Sequence, residues 1–238
     1  MNRTYIDIHT HILPGVDDGS PDCKTSIKML EDAWANGTGA VILTPHYKQR
    51  YRCGSSAEIR KRFDEFKDYA AGKVPVALYL GTEAMYEMDL PQKLSDGEVL
   101  TMADTMLVLI EFLPGVNFEY LCNGVFEMTQ YGFTPIIAHI ERYGCLTPKR
   151  VAELRNMGAK IQVNARSVLG KSGFKLKRFC QSVLRSDLVD FIASDAHDPS
   201  ARSTQLKPCA KHIEARYGKP VSDLLMTDLA KESLSLNF

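Results

Sequence analysis

Five of the six histidines stand in short motifs, most of which also contain an acidic residue, and each motif follows an apolar run typical of a β-strand. Imidazole is the commonest metal-binding side chain and the usual proton carrier near neutral pH. Random placement would scatter six histidines over helices, loops and surface, so this clustering predicts one metal-centred active site. The motifs are Asp7-Ile8-His9-Thr10-His11, Thr44-Pro45-His46, Ala138-His139-Ile140-Glu141-Arg142 and Ser194-Asp195-Ala196-His197.

The first motif, His9-Thr10-His11, places two imidazoles two residues apart. Residues i and i+2 of a strand point to the same side, so both rings can bind one ion from one face. Asp195 and His197 repeat this spacing after the last predicted strand. An H-x-H pattern alone is a weak signal for metal, and the other motifs make it a specific one.

Three further carboxylates are candidate ligands. Glu83 and Glu111 each end an apolar strand, where an unpaired buried charge is costly and needs either a cation or a basic side chain. Asp18 lies in the segment Pro14–Gly19, whose composition is that of a turn. A turn and a carboxylate ligand are compatible roles for that segment.

Nine side chains are therefore candidate metal ligands, more than a single ion needs. A catalytic zinc ion takes three protein ligands and a water molecule, so nine ligands indicate two or three ions that share a carboxylate. Mixed imidazole and carboxylate ligands suit Mn, Fe or Zn. The nine are His9, His11, Asp18, His46, Glu83, Glu111, His139, Asp195 and His197.

Two arginines, Arg142 and Arg202, stand within or near these motifs. The planar guanidinium fork matches phosphate oxygens, and neighbouring metal ions can stabilise both the attacking and the leaving oxygen of a phosphoryl transfer. The combination predicts phosphoester hydrolysis with the two arginines as phosphate binders. Taken singly, either arginine could instead form a surface salt bridge.

The elements that must position these residues alternate between apolar strands and amphipathic helices. Polar residues follow all seven strands, with Asn164 after the sixth, which favours a ring of strands over an open sheet, where two or three strands form the site. We predict one α/β domain over residues 1–238, a (β/α)₇ barrel, with an irregular excursion at Met85–Thr105 and a last helix at Ser222–Leu234. The predicted strands are Tyr5–His9, Ala40–Thr44, Ala77–Glu83, Met106–Glu111, Thr134–Ala138, Lys160–Val163 and Asp190–Ser194.

Bulk composition excludes several classes of function. The chain has 29 basic and 29 acidic residues, so no overall charge attracts nucleic acid or anionic lipid. No apolar run approaches the about 18 residues of a membrane span, and we expect no membrane insertion. The six cysteines are dispersed, which favours reduced thiols and a cytoplasmic location. No arginine stands six residues after a cysteine, which excludes a C-x₅-R cysteine phosphatase.

Together the motifs resemble the PHP (polymerase and histidinol phosphatase) superfamily. Within it they are most similar to the bacterial PHP-type tyrosine phosphatases of capsule and exopolysaccharide gene clusters, the CpsB/YwqE-like proteins. The similarity spans residues 5 to about 217. It is carried by the motifs above together with His11–Gly19, Gly81-Thr82-Glu83, Ile110-Glu111-Phe112 and Tyr143.

The resemblance implies a distorted (β/α)₇ barrel with three divalent ions, usually Mn, and hydrolysis of phosphotyrosine by a hydroxide that bridges two ions. It also implies a phosphotyrosine protein as partner, namely the Tyr-rich tail of a bacterial kinase. By position, Arg142 and Arg202 would hold the phosphate. The implied ligand sets are His9, His11, Glu83 and Asp195 for one ion, Glu83, Glu111 and His139 for a second, and Asp18, His46 and His197 for a third.

Two alternatives stay open at this point. A histidinol-phosphate phosphatase, or another small-molecule phosphoesterase of the superfamily, would use the same metals and differ at the rim of the site. The predicted rim segments Tyr47–Gly54 and Ser167–Lys177 are basic, which is consistent with an acidic phosphopeptide. A catalytically inactive partner-binding module is the other alternative, although such a module is expected to have lost ligands.

Overall fold

The computed structural model describes residues 5–47 and 54–236, and these alternate between strands and helices along most of their length. All strand pairs are parallel, as expected for strands joined by helices. Most strand residues are buried, as in a sheet covered on both faces. The described strands are β1 (Tyr5–Thr10), β2 (Thr38–Leu43), β3 (His46–Tyr47), β4 (Ala77–Leu80), β5 (Glu83–Met85), β6 (Leu107–Glu111), β7 (Thr134–Ile137), β8 (Lys160–Asn164) and β9 (Phe191–Ala193).

The helices cover the outside of the strands. Four of the longer ones begin at a residue whose side chain accepts a hydrogen bond from the first turn, namely Asp22, Ser55, Asn117 and Thr147. No helix among the described residues is long and apolar enough to cross a membrane. The helices are α1 (Cys23–Ala35), α2 (Ser56–Ala70), α3 (Leu90–Ser95), α4 (Phe118–Gln130), α5 (Pro148–Asn156), α6 (Ala165–Val168), α7 (Phe174–Arg185), α8 (Leu206–Tyr217), α9 (Lys219–Asp223) and α10 (Leu229–Ser233).

The strands form a closed but interrupted ring. The ladders run in the orders β1-β2-β4 and β3-β5-β6-β7-β8-β9. The end of the chain's last strand then meets the first: His11 N–H donates to Ala196 O at 2.8 Å, and Asp195 N–H donates to His9 O at 2.9 Å. The prediction of a distorted (β/α)₇ barrel is confirmed.

The barrel is distorted because two of its predicted strands are broken into separate strands, which the sequence alone does not reveal. The predicted strand Ala77–Glu83 is wrong as a single element, because β4 pairs with β2 whereas β5 pairs with β3 and β6. The break falls at Gly81, where a Cβ atom would lie 2.6 Å from the sulfur of Met102. A matching break separates β2 from β3 at Pro45, which has no N–H group to continue a ladder. Glu83 thereby starts a new strand rather than ending an old one.

Two smaller differences concern the connecting segments. The excursion expected at Met85–Thr105 is not wholly irregular, since it contains α3 and a 3₁₀ turn at Met102–Asp104. The last predicted helix begins earlier than expected, at Lys219. A π-helical turn at Leu224–Asp228 joins α9 to α10.

A β-bulge in β1 brings the first histidine into the site. Asp7 pairs with Val41 but Thr10 pairs with Leu43, so three steps along β1 oppose two along β2. A bulge can put two successive side chains on the same side of a sheet. Ile8 accordingly packs with the apolar residues inside the ring, while its neighbour His9 faces the other candidate ligands.

Asp190 is a structural acid remote from the histidine motifs, and its replacement by Ala tests the packing of β8 against β9. Its carboxylate is 2 % exposed, accepts the Ile161 N–H at 2.8 Å and lies 3.0 Å from Arg155 Nη2. Asp190→Ala leaves a buried N–H without its acceptor, so we expect a loss of about 2–3 kcal/mol in the free energy of unfolding.

Urea denaturation with chelator present measures this change. Glu65→Ala is the matched control, because Glu65 forms an exposed ion pair with Lys61 at 3.9 Å and should cost less than about 0.5 kcal/mol. Equal stabilities for the two variants would contradict the proposed role of Asp190.

Candidate metal centre

All nine candidate ligands lie at one end of the ring, where the carboxyl ends of the strands meet. Eight of them are buried, and the exception is Asp18, whose side chain is 44 % exposed. His139 and Asp195 sit just past the ends of β7 and β9, and Asp18 lies in the loop after β1. Three overlapping groups of these residues have ligand atoms within 4.8 Å of one another: His9, His11 and Glu83; His46, Glu83 and Glu111; His11, Asp18, His46 and His197.

The first group surrounds one oxygen of Glu83. Glu83 Oε2 lies 3.3 Å from His9 Nε2 and 3.3 Å from His11 Nε2. Asp195 Oδ1 approaches the same two nitrogen atoms at 3.6 and 3.5 Å. Three of the four side chains that the resemblance assigns to one ion therefore form one group, and Asp195 lies beside their imidazoles.

Glu83 also contacts His139, which lies in none of the three groups. Glu83 Oε1 is 2.8 Å from His139 Nε2, and Glu111 Oε2 lies 4.0 Å from that nitrogen. The second group is held together by His46, whose Nδ1 is 2.8 Å from Glu83 Oε2 and 3.1 Å from Glu111 Oε1. Glu83 thus belongs to two of the three groups, as a bridging carboxylate would.

The third group lies nearest the surface. Asp18 Oδ1 is 3.4 Å from His46 Nε2 and 3.7 Å from His197 Nε2. The His11 and His197 rings stack beside it with centroids 3.8 Å apart. His46 therefore directs one ring nitrogen to this group and the other to Glu83.

The contacts within the cluster fit bound cations better than a metal-free network. Glu83 Oε2 makes no hydrogen bond of acceptable geometry although two imidazole Nε2 atoms lie close to it. Those two nitrogen atoms, on His9 and His11, are themselves 3.2 Å apart. Two N–H groups cannot face each other at this distance, so at least one of the nitrogens must carry a lone pair in place of a proton. Lone pairs that converge on buried carboxylates are the arrangement that a divalent cation satisfies.

Within the cluster, opposite charges on imidazoles and carboxylates stabilise one another. Burial favours the neutral form of Glu83, but the surrounding imidazoles, above all the charge of His9, outweigh it and hold the carboxyl pKa well below its usual range. Asp195 behaves in the same way, with His9 again the main opposing charge. Burial and the neighbouring His11 charge lower the pKa of His197 to about 3. The ionised carboxylates and the neutral His197 are in the states that bind metal. Burial favours the neutral forms of His11 and His46, but neighbouring carboxylates hold the pKa of His11 well above its usual value and raise the pKa of His46 to about 9, so these two rings must lose a proton when a cation binds.

Two of the candidate ligands have a left-handed backbone. His139 has φ 34° and Asp195 has φ 55°. Residues other than glycine rarely adopt this region of backbone conformation. Each of the two ligands follows directly on a short buried strand, and the sharp turn aims its side chain over the end of the ring. Residues stay in such strained conformations only where the surrounding structure constrains them.

The two candidate phosphate binders both contact Asp195. Arg142 Nη2 donates to Asp195 Oδ2 at 2.6 Å, and Arg202 Nη2 donates to Asp195 Oδ1 at 3.2 Å. About 40 % of each side chain is exposed. Each arginine therefore forms a salt bridge, but its partner is a buried candidate ligand and not a surface acid. Both arginines are anchored at one end and open to solvent at the other.

Sequence reasoning missed two polar residues that hold the candidate ligands. Asp17 Oδ2 lies 2.7 Å from His11 Nδ1 and accepts the His46 N–H at 2.9 Å. Gln162 contacts His9 and His139 from the middle of β8. The composition of Pro14–Gly19 predicts only a turn at Asp17, and the signal for Gln162 is a polar side chain inside an otherwise apolar strand.

The predicted basic rim is described only in part. Residues 48–53 of the segment Tyr47–Gly54 lie outside the described residues. Within Ser167–Lys177, Lys171 Nζ donates to Gln205 Oε1 at 2.5 Å. The adjacent Arg166 donates to Ala201 O. This side of the rim therefore packs on the loop that carries Arg202.

A family model for capsular polysaccharide synthesis, CpsB/CapC, matches residues 5–235. The chain belongs to the CpsB/CapC family. The match includes all nine candidate ligands and both arginines.

Two similar proteins are named as tyrosine phosphatases. The chain is 30 % identical to the tyrosine-protein phosphatase CpsB of Streptococcus agalactiae serotype V, covering 98 % of this chain and 99 % of that protein. It is 30 % identical to the tyrosine-protein phosphatase YwqE of Bacillus subtilis, covering 92 % of this chain and 88 % of the relative.

Solved structures show the same fold. One from a study of YwqE of B. subtilis and CpsB of Streptococcus pneumoniae, described as unique metal-dependent tyrosine phosphatases, superimposes with a TM-score of 0.86 at 30 % identity, covering 91 % of this chain and 89 % of that one. The lactonase Lmo2620 of Listeria monocytogenes shares the fold at 10 % identity, with a TM-score of 0.67, covering all of this chain and 96 % of that one.

Gly19 offers a test of the turn that holds Asp17 and Asp18. A Cβ atom there would lie 2.2 Å from His11 O and 2.4 Å from His11 Cβ, so Gly19→Ala must displace either the turn or His11. We expect metal affinity to fall at least about tenfold, as when a partner that orients a ligand is lost. A competition titration with a chelating dye measures the affinity.

Gly115→Ala is the matched control, because no heavy atom lies within 4 Å of a Cβ atom at that position. Its metal affinity should equal that of the unmodified chain. A Gly19→Ala variant with unchanged affinity would show that the turn does not position the ligands.

Proposed function

We propose that this chain is a metal-dependent protein-tyrosine phosphatase that acts in capsular or exopolysaccharide synthesis. The observation that carries the proposal is the convergence of three overlapping histidine–carboxylate groups beside two half-exposed arginines. The family match and the tyrosine phosphatases among the relatives supply the substrate class.

The proposed ligands form three sets, and the chain would act as a single domain over residues 1–238. Mn is our first choice among the metals, with Fe or Zn as alternatives, because the donors mix imidazole with carboxylate and include no thiolate. When bound, divalent ions at these positions supply positive charge to phosphoryl oxygens and acidify a water molecule. The proposed sets are His9, His11, Glu83 and Asp195; Glu83, Glu111 and His139; and Asp18, His46 and His197.

Arg142 and Arg202 would bind and orient the phosphoryl group. Each guanidinium is fixed at one end by Asp195 and keeps further N–H groups free of that contact. The exposed part of each side chain faces solvent at the mouth of the site, where a phosphate ester would enter. Fixed charges of this kind stabilise negative charge that develops on the phosphoryl oxygens.

The leaving group favours an aryl ester. A free tyrosine side chain has a pKa of about 10, so tyrosinate departs with less help from a general acid than a serine alkoxide does. The partner would be a phosphotyrosine protein, with the tail of a bacterial tyrosine kinase as our choice. A cytoplasmic location is proposed because the five described cysteines are free thiols; Cys53 lies outside the described residues.

One experiment tests the substrate class and the metal requirement together. Initial rates are measured on a phosphotyrosine peptide, the matching phosphoserine peptide and histidinol phosphate, with added Mn and with chelator. We expect phosphotyrosine to be hydrolysed well ahead of the other two, chelation to abolish activity, and Mn to restore it better than Mg. Full activity after metal removal would refute the proposal, and a preference for histidinol phosphate would favour the small-molecule alternative.

Arg142→Ala tests the assignment of the phosphate binders. Asp195 keeps hydrogen bonds from Asn164 and Arg202 in this variant, so metal content should stay near that of the unmodified chain. Loss of one charge-assisted phosphate contact should lower kcat/KM about a hundredfold, or roughly 2–4 kcal/mol. Metal analysis and steady-state kinetics measure the two quantities separately.

Arg60→Ala is the control for this variant, since Arg60 forms an exposed ion pair with Asp104 and should leave both quantities unchanged. An unaltered kcat/KM in Arg142→Ala would remove Arg142 from the site. A large loss of metal would instead show that Arg142 acts by holding Asp195.

A further inference from the structure

Gln162 lies fully buried beneath the candidate metal centre, between ligands that come from three other parts of the barrel. It stands on β8, two residues before Asn164, and both side chains point into the ring. The apolar neighbours Ile161 and Val163 pack outward against the helices. Neither Gln162 nor Asn164 is among the proposed ligands, yet each contacts at least one of them.

Hydrogen bonds fix the orientation of both amides. At one end Gln162 Oε1 accepts the backbone N–H of His139 at 2.7 Å, and a backbone N–H can only donate. At the other end Asn164 Nδ2 donates to Asp195 Oδ2 at 2.8 Å, and an ionised carboxylate can only accept. Between them Gln162 Nε2 donates to Asn164 Oδ1 at 2.8 Å. Rotating either amide would bring two donors or two acceptors together.

This fixed polarity has a consequence for His9. Gln162 Oε1 also lies 3.3 Å from His9 Nδ1, and an oxygen that only accepts requires the proton on that nitrogen. When the His9 ring is neutral, as metal binding requires, its Nε2 presents a lone pair toward Glu83 Oε2 at 3.3 Å and Asp195 Oδ1 at 3.6 Å. His11 is arranged similarly, with its Nδ1 held by the carboxylate of Asp17 at 2.7 Å.

The same oxygen supports the turn at His139. Because this residue has φ 34° and ψ 54°, its N–H points away from the ladder of β7 and needs another acceptor. Gln162 supplies that acceptor inside the ring, where water does not reach. One amide therefore serves a ring nitrogen on β1 and a strained backbone after β7.

We propose that Gln162 is a positioning residue of the metal centre, which fixes His9 as the Nδ1-protonated tautomer with Nε2 as its ligand atom and holds the left-handed turn of His139. Asn164 extends this hydrogen-bonded chain to Asp195. The inference rests on the proposed function, because it assigns Gln162 a role toward metals that the nine ligands would bind.

The first test measures metal affinity directly. Gln162→Met keeps the length of the side chain but removes both its acceptor and its donor, and the apparent affinity for Zn²⁺ in a competition titration should fall about 10–100-fold. Val163→Ala is the matched control, since it alters the adjacent buried position on the opposite face of β8. Its affinity should stay within about twofold. Equal affinities of Gln162→Met and the unmodified chain would overturn the proposal.

The second test determines which tautomer His9 adopts. In the zinc-loaded protein, which is diamagnetic, two-bond ¹H–¹⁵N correlation spectra identify the protonated nitrogen of His9. We expect protonation at Nδ1 in the unmodified chain and in Gln162→Glu, whose carboxylate still accepts from His9, and loss of that fixed assignment in Gln162→Met. Protonation at Nε2 in the unmodified chain would overturn the proposal without any variant, so a Gln162→Met chain that fails to fold does not prevent the decision.

The two proposals fail in different ways. If Gln162→Met loses metal affinity and the His9 tautomer while the unmodified chain does not hydrolyse phosphotyrosine, the positioning role stands and the phosphatase assignment is wrong. If the unmodified chain is an active phosphatase and Gln162→Met matches it in affinity and spectrum, the positioning role is wrong and the function stands. An unmodified chain that binds no Zn²⁺ refutes the positioning role.

Discussion

The buried carboxylate of Glu83 is the constraint on which the rest of the site depends. A carboxylate that is 1 % exposed is costly to ionise unless positive charge or hydrogen-bond donors surround it. Imidazoles from three other parts of the chain meet this requirement, with His46 and His139 at 2.8 Å and His9 at 3.3 Å. The fold must therefore bring distant histidines to one point, and a ring of parallel strands does so because their carboxyl ends converge.

The two breaks in the strands, at Pro45 and Gly81, follow from the same requirement. Glu83 can stand between the two ligand groups only because β5 leaves the line of β4 at Gly81 and pairs instead with β3 and β6. The break at Pro45 gives His46 the corresponding place on β3, where it pairs with Glu83 in register. Two short strands thus carry the bridging carboxylate and one of its imidazoles side by side.

The sequence predicted the barrel and the strand ends that supply the ligands, because apolar runs followed by His, Asp or Glu are visible without a structure. It could not predict the split of Ala77–Glu83 or the bulge in β1, since both depend on which strand is the neighbour. The roles of Asp17 and Gln162 were hidden for the same reason. Each acts through contacts with residues distant in sequence or with backbone N–H groups, and no spacing rule indicates such contacts.

Asp195 joins the two parts of the proposed mechanism. One of its oxygens faces His9 and His11, and both arginines donate to its carboxylate. A cation at the first ligand group and a phosphate at the arginines would therefore compete for, or share, the charge of one side chain. Under the proposed function, metal occupancy and the orientation of the phosphate binders are coupled through this carboxylate.

The site also concentrates features that oppose folding. His139 and Asp195 adopt left-handed conformations that cost of order 1–3 kcal/mol each, and several buried charges face one another across a few ångströms. The outward faces of the same strands compensate, because Ile110, Ile137 and Ile161 are fully buried against the helices. The polar interior is therefore held by an apolar shell that does not need a metal, while under the proposed function the inner ligands would gain stability when a cation binds. Because the apolar outer faces of the strands stabilise the barrel, its interior can contain buried charges and left-handed residues that would be unfavourable on their own.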